Sequence, residues 1–263
     1  MRHSFRYESD PKTASSLGLP YCLVGRSSSA PLYSPAAPPS TRRAACIRSW
    51  GSVRSDTFSE GIAMSHAALK AELARAFVAT GAFRFDQERG FKLASGAVSP
   101  FYVDCRVIMA HPGPRHLVAE LGFHALKALP CQCLGGLELG AISIATAISD
   151  YGYTGTPHRE WRTFVVRKQA KDHGLGKLIE GAMEFGDGGV IVDDVLTSGG
   201  SVLRAVQAAR EAGLLVAHTL VIVDRKEQDG RARVEHEGLT LMSLLTIDDL
   251  RTALETAQQA VPS

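Results

Sequence analysis

From Ser65 onward, apolar and polar positions fall into regular periods. Leu69, Leu73, Ala76, Phe77 and Thr80 recur at helical spacing, and Gly81 supplies a stop. "FKLASGAVSPFYVDCR", residues 91–106, predicts two short strands around a Ser-Gly turn, and "PRHLVAELGFHALKAL", from Pro114, an amphipathic helix. Apolar strand candidates then alternate with helical stretches: strand Cys133 to Leu137, helix near Ile142 to Tyr151, strands Thr163 to Arg167 and Val190 to Asp193, helix Ser201 to Ala212, strand Val216 to Asp224. This order predicts an α/β fold with a mostly parallel central sheet flanked by helices.

Residues 1–63 break the pattern. They hold 13 serines and half of the 12 prolines, with neither helical nor strand period. Such a segment buries too little apolar surface to offset its ordering entropy and is read as disordered. Its Arg, Ser and Ala content resembles an organellar transit peptide, which Glu8 and Asp10 fit poorly. Met64 begins a stretch that makes a natural N-terminus, so an upstream start codon is the favoured expectation. The domain then spans residues 64–263, with a small N-terminal hood to about residue 112 and a core from about 113.

The chain carries 29 Lys and Arg against 27 acids, and residues 1–63 hold 8 of the former and 4 of the latter. The remainder has 21 basic and 23 acidic groups, which argues against a nucleic-acid protein. The longest apolar run, Leu214 to Val223, is interrupted by His218 and Thr219 and falls short of the roughly 20 residues of a membrane span. Five cysteines at these spacings suit neither a zinc site nor a disulfide framework, so reduced thiols in a cytoplasmic enzyme are expected.

The chemistry concentrates in "GGVIVDDVLTSGGSVLRAV", residues 188–206. A β-branched run leads to Asp193 and Asp194 at the end of a buried parallel strand, where open α/β sheets bind ligands. Thr197-Ser198-Gly199-Gly200-Ser201 then allows backbone N–H groups to approach an anion, with a helix N-terminus behind them. Carboxylates repel phosphate, so the pair needs another partner. A sugar phosphate satisfies both, with hydroxyls facing the acids and phosphate facing the loop. The G-x-x-x-x-G-K-[ST] and G-x-G-x-x-G motifs are absent, which disfavours P-loop and dinucleotide enzymes. "RKQAKDHG" sets Arg167, Lys168, Lys171 and His173 beside Gly174 and Gly176, a composition suited to a mobile arm over a polyanion or, more blandly, to a solvated turn.

"VIVDDVLTSGGS" resembles the phosphoribosyl-pyrophosphate signature of the type I phosphoribosyltransferases. "SGAVSPFYVDCR", "VVRKQAKDHGLG" and "DRKEQDG" resemble, in the same order, one branch of them, the orotate phosphoribosyltransferases. The resemblance covers nearly all of residues 64–263. It implies the type I phosphoribosyltransferase fold and transfer of ribose 5-phosphate from phosphoribosyl pyrophosphate to orotate, giving orotidine 5′-phosphate and pyrophosphate in pyrimidine synthesis. Catalysis falls to Lys171, Asp193 and Asp194, and donor binding to Arg167, Lys168, Lys171, His173, the acid pair and Val195, Leu196, Thr197, Ser198, Gly199, Gly200 and Ser201. Orotate is expected at Thr197 and at Arg225, whose fork suits a carboxylate, although pairing of Arg225 with Asp224 or Glu227 is the plain alternative. Backbone groups near Phe101 and Tyr102 could read the pyrimidine edge, with core packing of those rings equally compatible.

The family implies Mg2+ held mainly through the donor, with no direct protein ligand, and a homodimer whose arm reaches the neighbouring active site. Some members have Lys at the position of Ala94 and Tyr-Lys at Leu139-Gly140, so Gly136 to Gly140 is expected to bind pyrophosphate through backbone N–H groups. Two rival readings are a purine transferase, against which Arg225 speaks, and a regulator that binds the donor without turnover, against which the basic arm speaks.

Overall fold

The computed structural model describes residues 64–92, 96, 98–169 and 178–260. Expectations for the N-terminal extension, Ala94, Lys171, His173, Gly174 and Gly176 lie outside them. Helix α1 (His66–Ala79) is capped by Ser65, whose side chain accepts from the Ala68 amide, and it buries Leu69, Leu73, Ala76 and Phe77 as the spacing predicts. Gly81 follows at φ +71°, the left-handed turn that a residue without Cβ makes at least cost.

The hood is built from β1 (Phe83–Phe85), β2 (Phe91–Lys92), β3 (Val98–Ser99) and β4 (Phe101–Val103), paired antiparallel as β1–β4 and β2–β3. The predicted pair of strands in residues 91–106 is therefore three short strands. The segment's end turns into α2 (Cys105–Ala110), because Asp104 caps it by accepting from the Arg106 amide.

Helix α3 (Pro112–Leu126) leads into a six-stranded sheet made of β5 (Cys133–Leu137), β6 (Arg162–Val166), β7 (Ile179–Gly181), β8 (Gly188–Leu196), β9 (Leu215–Asp224) and β10 (Thr240–Thr246). Their order is β10-β9-β8-β5-β6-β7, parallel except for β7. The crossovers are α4 (Gly140–Thr154), α5 (Gly200–Glu211) and α6 (Gly230–His236), and α7 (Ile247–Gln259) closes the chain. The α/β expectation holds, and β7, α6, β10 and α7 extend it.

Side chains alternate across β8, so Val190 and Val192 join a core with α1, α3, α4 and α7, while Ile191 joins a second core with α5 and Val234 of α6. Hood residues Phe83 and Cys105 belong to the first of these, so hood and sheet share one apolar interior. Burial on both faces explains why the strands read as continuous apolar runs.

The sheet changes direction between β5 and β8: successive crossovers run outward from that pair on either side. Pairing of β8 with β5 ends at Ile191, whereas pairing with β9 continues to Leu196. A crevice opens there at the carboxyl ends of the strands, the position where such sheets bind ligands.

Candidate active site

The crevice is a cleft of about 610 Å3, and its walls carry four acids, Asp104, Glu138, Asp193 and Asp194, and four bases, Arg106, Lys168, Arg204 and Arg225. Two helices begin on it. Helix α5 starts at Gly200 after Gly199 at φ +76°, and α4 starts at Gly140 after Leu139; neither N-terminus has a side-chain cap. Both therefore present first-turn N–H groups and a positive dipole end to the same cavity.

Two braces hold the loop before α5. Arg233 Nη1 donates to the Ser198 carbonyl at 2.8 Å, and Gly230 packs so tightly that a Cβ there would lie 2.1 Å from the Thr197 carbonyl oxygen. Thr197, Ser198, Gly199, Gly200, Ser201 and Val195 all line the cleft; Leu196 is buried beneath it.

The acid pair divides. Strand alternation turns Asp193 toward α5, where it is 6% exposed and accepts from Ser201 Oγ at 2.6 Å and from the Asp194 amide at 2.9 Å. Burial first, and then the neighbouring Asp194 charge, push the Asp193 carboxyl up to about 7, with the Ser201 hydroxyl opposing. Asp194 turns to the other side, toward α4, and its Oδ1 accepts from the amide of Val195 at 2.8 Å. A Cβ on Gly140 would lie 3.1 Å from Asp194 Cγ, so the start of α4 and this carboxylate are adjacent. Beneath them the Cys105 thiol points at the Asp194 carbonyl, 3.6 Å away, and burial among three carboxylates raises its pKa well above normal.

Of the segment Gly136 to Gly140, the amide of Glu138 donates to the Val166 carbonyl at 2.9 Å, and Leu139 and Gly140 form the cleft wall at the mouth of α4. Gly136 is confined by strand β8: a Cβ would meet the Val192 carbonyl oxygen at 2.1 Å. Lys168 lines the cleft, and its amide donates to Glu138 Oε1 at 3.0 Å. Arg167 does not line it; its Nη1 donates to Glu180 Oε1 on β7 at 2.9 Å.

Arg225, at the end of β9, is 5% exposed. Its Nη2 donates to Ser99 Oγ at 2.8 Å and to the Phe101 carbonyl at 2.9 Å, while Nε stands 3.1 Å from Glu227 Oε2, close enough for ion pairing but not aligned for a hydrogen bond. Arg225 thus does pair with Glu227, the alternative raised from sequence, and still lines the cleft. Asp224 is engaged elsewhere, by Arg231 Nε at 2.9 Å. The Phe101 amide donates to Ser99 Oγ, and its ring stacks on Phe83 and Phe85. Both Phe101 backbone groups thus have partners within the protein, and its ring packs in the hood. Tyr102 Oη donates to Asp104 Oδ2 at 3.1 Å.

Sequence reasoning missed Asp104, Arg106, Glu138, Arg204 and Gln228 as cleft residues. Arg204 lay one helical turn beyond Gly200 and was findable from that spacing. Among the described residues, no three His, Cys, Asp or Glu side chains converge as a metal cage, and no helix is long and apolar enough to cross a membrane.

No family model matches the chain. It is 39% identical over 160 residues to the orotate phosphoribosyltransferase of Aquifex aeolicus, covering 61% of this chain and 86% of that one. With the orotate phosphoribosyltransferase of Pyrococcus abyssi it shares 36% identity over 184 residues, 69% of this chain and 95% of the relative. The crystal structure of the Mycobacterium tuberculosis orotate phosphoribosyltransferase in complex with 5-phospho-α-D-ribosyl 1-diphosphate superposes with a TM-score of 0.55 at 32% identity, over 70% of this chain and 99% of that one. With relatives above 30% identity matched over nearly their whole length, the chain belongs to the orotate phosphoribosyltransferase family.

Proposed function

We propose that this cleft transfers ribose 5-phosphate from phosphoribosyl pyrophosphate to orotate, releasing pyrophosphate and forming orotidine 5′-phosphate for pyrimidine biosynthesis. The observation that carries the reading is the pair of uncapped helix N-termini on one cavity, with a carboxylate between them. A donor with phosphate at both ends of a ribose suits two anion-binding helix ends in one cavity.

In this reading Thr197 to Ser201 and the N-terminus of α5 hold the 5′-phosphate, and Leu139, Gly140 and the N-terminus of α4 hold pyrophosphate. Asp194 accepts from the ribose hydroxyls. As the bond from C1 to pyrophosphate lengthens, positive charge grows on the ring, and the Asp194 carboxylate lies on its side of the cleft. Asp193 acts one layer back, by anchoring Ser201. Lys168, and by family resemblance Lys171 and His173, neutralise the leaving group. Arg225 receives the carboxylate of orotate, with Thr197 beside it.

The donor set fits Mg2+ carried on substrate oxygens: the cleft offers carboxylates, and among the described residues no three of them converge as a cage. When bound, the ion supplies Lewis-acid neutralisation of the pyrophosphate oxygens. We place the enzyme as a homodimer with a shared site, as the family resemblance of the basic arm after β6 implies. A cytoplasmic setting agrees with Cys105, Cys131 and Cys133 being free thiols. Residues 64–112 and 113–263 serve as hood and core, and residues 1–63 as a dispensable extension.

The test mixes purified protein, Mg2+, phosphoribosyl pyrophosphate and orotate and follows loss of orotate absorbance. Turnover with hypoxanthine or adenine in place of orotate would overturn the reading.

A further inference from the structure

Before any ligand arrives, Arg225 already has Nη2 hydrogen-bonded and Nε held against a carboxylate. Ser99 is 3% exposed, and its hydroxyl is saturated: it donates to Glu227 Oε1 at 2.8 Å and accepts from Arg225 Nη2 at 2.8 Å and the Phe101 amide at 3.2 Å. Glu227 stands against the same guanidinium through Oε2, 3.1 Å from Nε, and Nη2 donates to its Oε1 at 3.4 Å. Ser99 belongs to hood strand β3, and Arg225 and Glu227 follow core strand β9, so the three join segments 126 to 128 residues apart.

The loop that delivers Glu227 is built for that purpose at a conformational cost. Lys226, Gln228 and Asp229 all hold positive φ, 53°, 52° and 51°, without being glycine. Left-handed backbone is unfavourable for residues with a Cβ, so three within four positions persist only where surrounding contacts over-determine them. Asp224 Oδ1 fixes the loop's start by accepting from the Lys226 amide at 2.8 Å, and Lys226 Nζ donates to Asp248 at 2.7 Å. The outcome is that Glu227 folds back onto Arg225 while Gln228 lines the cleft. Arg225 Nη2 and Nε are thereby directed at hood and loop, Nη1 makes none of these bonds, and the residue lines the cleft.

We propose that Ser99 and Glu227 are positioning residues that act through Arg225: they fix its guanidinium so that a single nitrogen faces the acceptor's carboxylate, and so set the preference for an acid-bearing pyrimidine. The inference rests on the proposed activity and sharpens the expectation of a two-pronged fork into an end-on contact. Glu227 also balances the buried cation when no acceptor is bound, which keeps the arginine in place between turnovers.

The test is a double-mutant cycle read on orotate KM, phosphoribosyl-pyrophosphate KM and thermal midpoint. Arg225→Ala is expected to raise orotate KM on the order of 100-fold, and Ser99→Ala and Glu227→Ala about tenfold each, with donor KM within about twofold. Glu227→Gln, which keeps the contact with Ser99, should recover part of the loss. In the Arg225→Ala background, Ser99→Ala and Glu227→Ala should change orotate KM by less than about twofold, because their effect passes through the arginine. Full additivity in that background, or a rise in both KM values together, would overturn the proposal in favour of a general hood-stabilising role. Absence of orotate turnover in the unmutated protein would instead overturn the activity itself.

Discussion

Ser201 Oγ donates to Asp193 Oδ2 at 2.6 Å, so the first turn of α5 is tied to the strand that precedes its loop. The bond closes a ring around Thr197 to Gly200 and fixes where their N–H groups point. It also stabilises the ionised form of a carboxyl whose burial favours the neutral one.

The first prediction concerns pH. With the Asp193 carboxyl raised from 3.8 to about 7, the folded state binds a proton there that the unfolded state has released. Its contribution to stability is therefore fully present below about pH 4, falls as pH rises through about 7, and is level above that. Urea unfolding from pH 4 to 8 should show this slope, and Asp193→Asn should flatten it. Ser201→Ala removes the hydroxyl that favours ionisation, so the slope should extend to higher pH.

Two glycines separate stability from activity. Gly136→Ala places a Cβ 2.1 Å from a backbone oxygen of β8, and should destabilise the protein by roughly 3 kcal/mol in chemical denaturation. Gly140→Ala places one 3.1 Å from the Asp194 carboxyl at the start of a helix. Alanine is the better helix former there, so the denaturation midpoint should hold while donor KM rises.

For the basic arm, Lys171→Ala should lower turnover on the order of 100-fold, as loss of one leaving-group contact does. Its unfolding free energy should move by less than about 0.5 kcal/mol. Unchanged turnover would return that segment to an ordinary surface turn.

Removing residues 1–63 should leave kcat and both KM values within about twofold, since the capped helix α1 begins at His66 with its own Ser65 cap. A large loss of activity would show that the extension belongs to the working protein.

Much of this architecture was legible in the chain. The run Val190 to Val192 reads as a buried strand because both its faces meet a core, and α1 reads as a helix because Leu69, Leu73 and Phe77 fall on one side. Strand β10 and helix α7 were missed: "LTLMSLLTIDDL" passes from strand to helix without glycine or proline, and the boundary is set by the Thr246–Asp249 capping box. The acid pair was legible as a site but not in its division, since which carboxylate is buried depends on α5 packing over one face. Ser99 and Glu227 were illegible as partners of Arg225, because a hydrogen bond across 126 residues leaves no local period.

The crevice between β5 and β8, with the segment after β6, gathers the groups proposed to grip the donor, whereas Arg225 and the pair proposed to position it come from the end of β9 and from the hood. Donor handling and base choice are thus written in different parts of the chain. A protein that kept strands β5, β6 and β8 with the segments that follow them, but exchanged the turn after β9 and the hood hairpin, would retain the same ribosyl-transfer engine and attach its sugar to a different base.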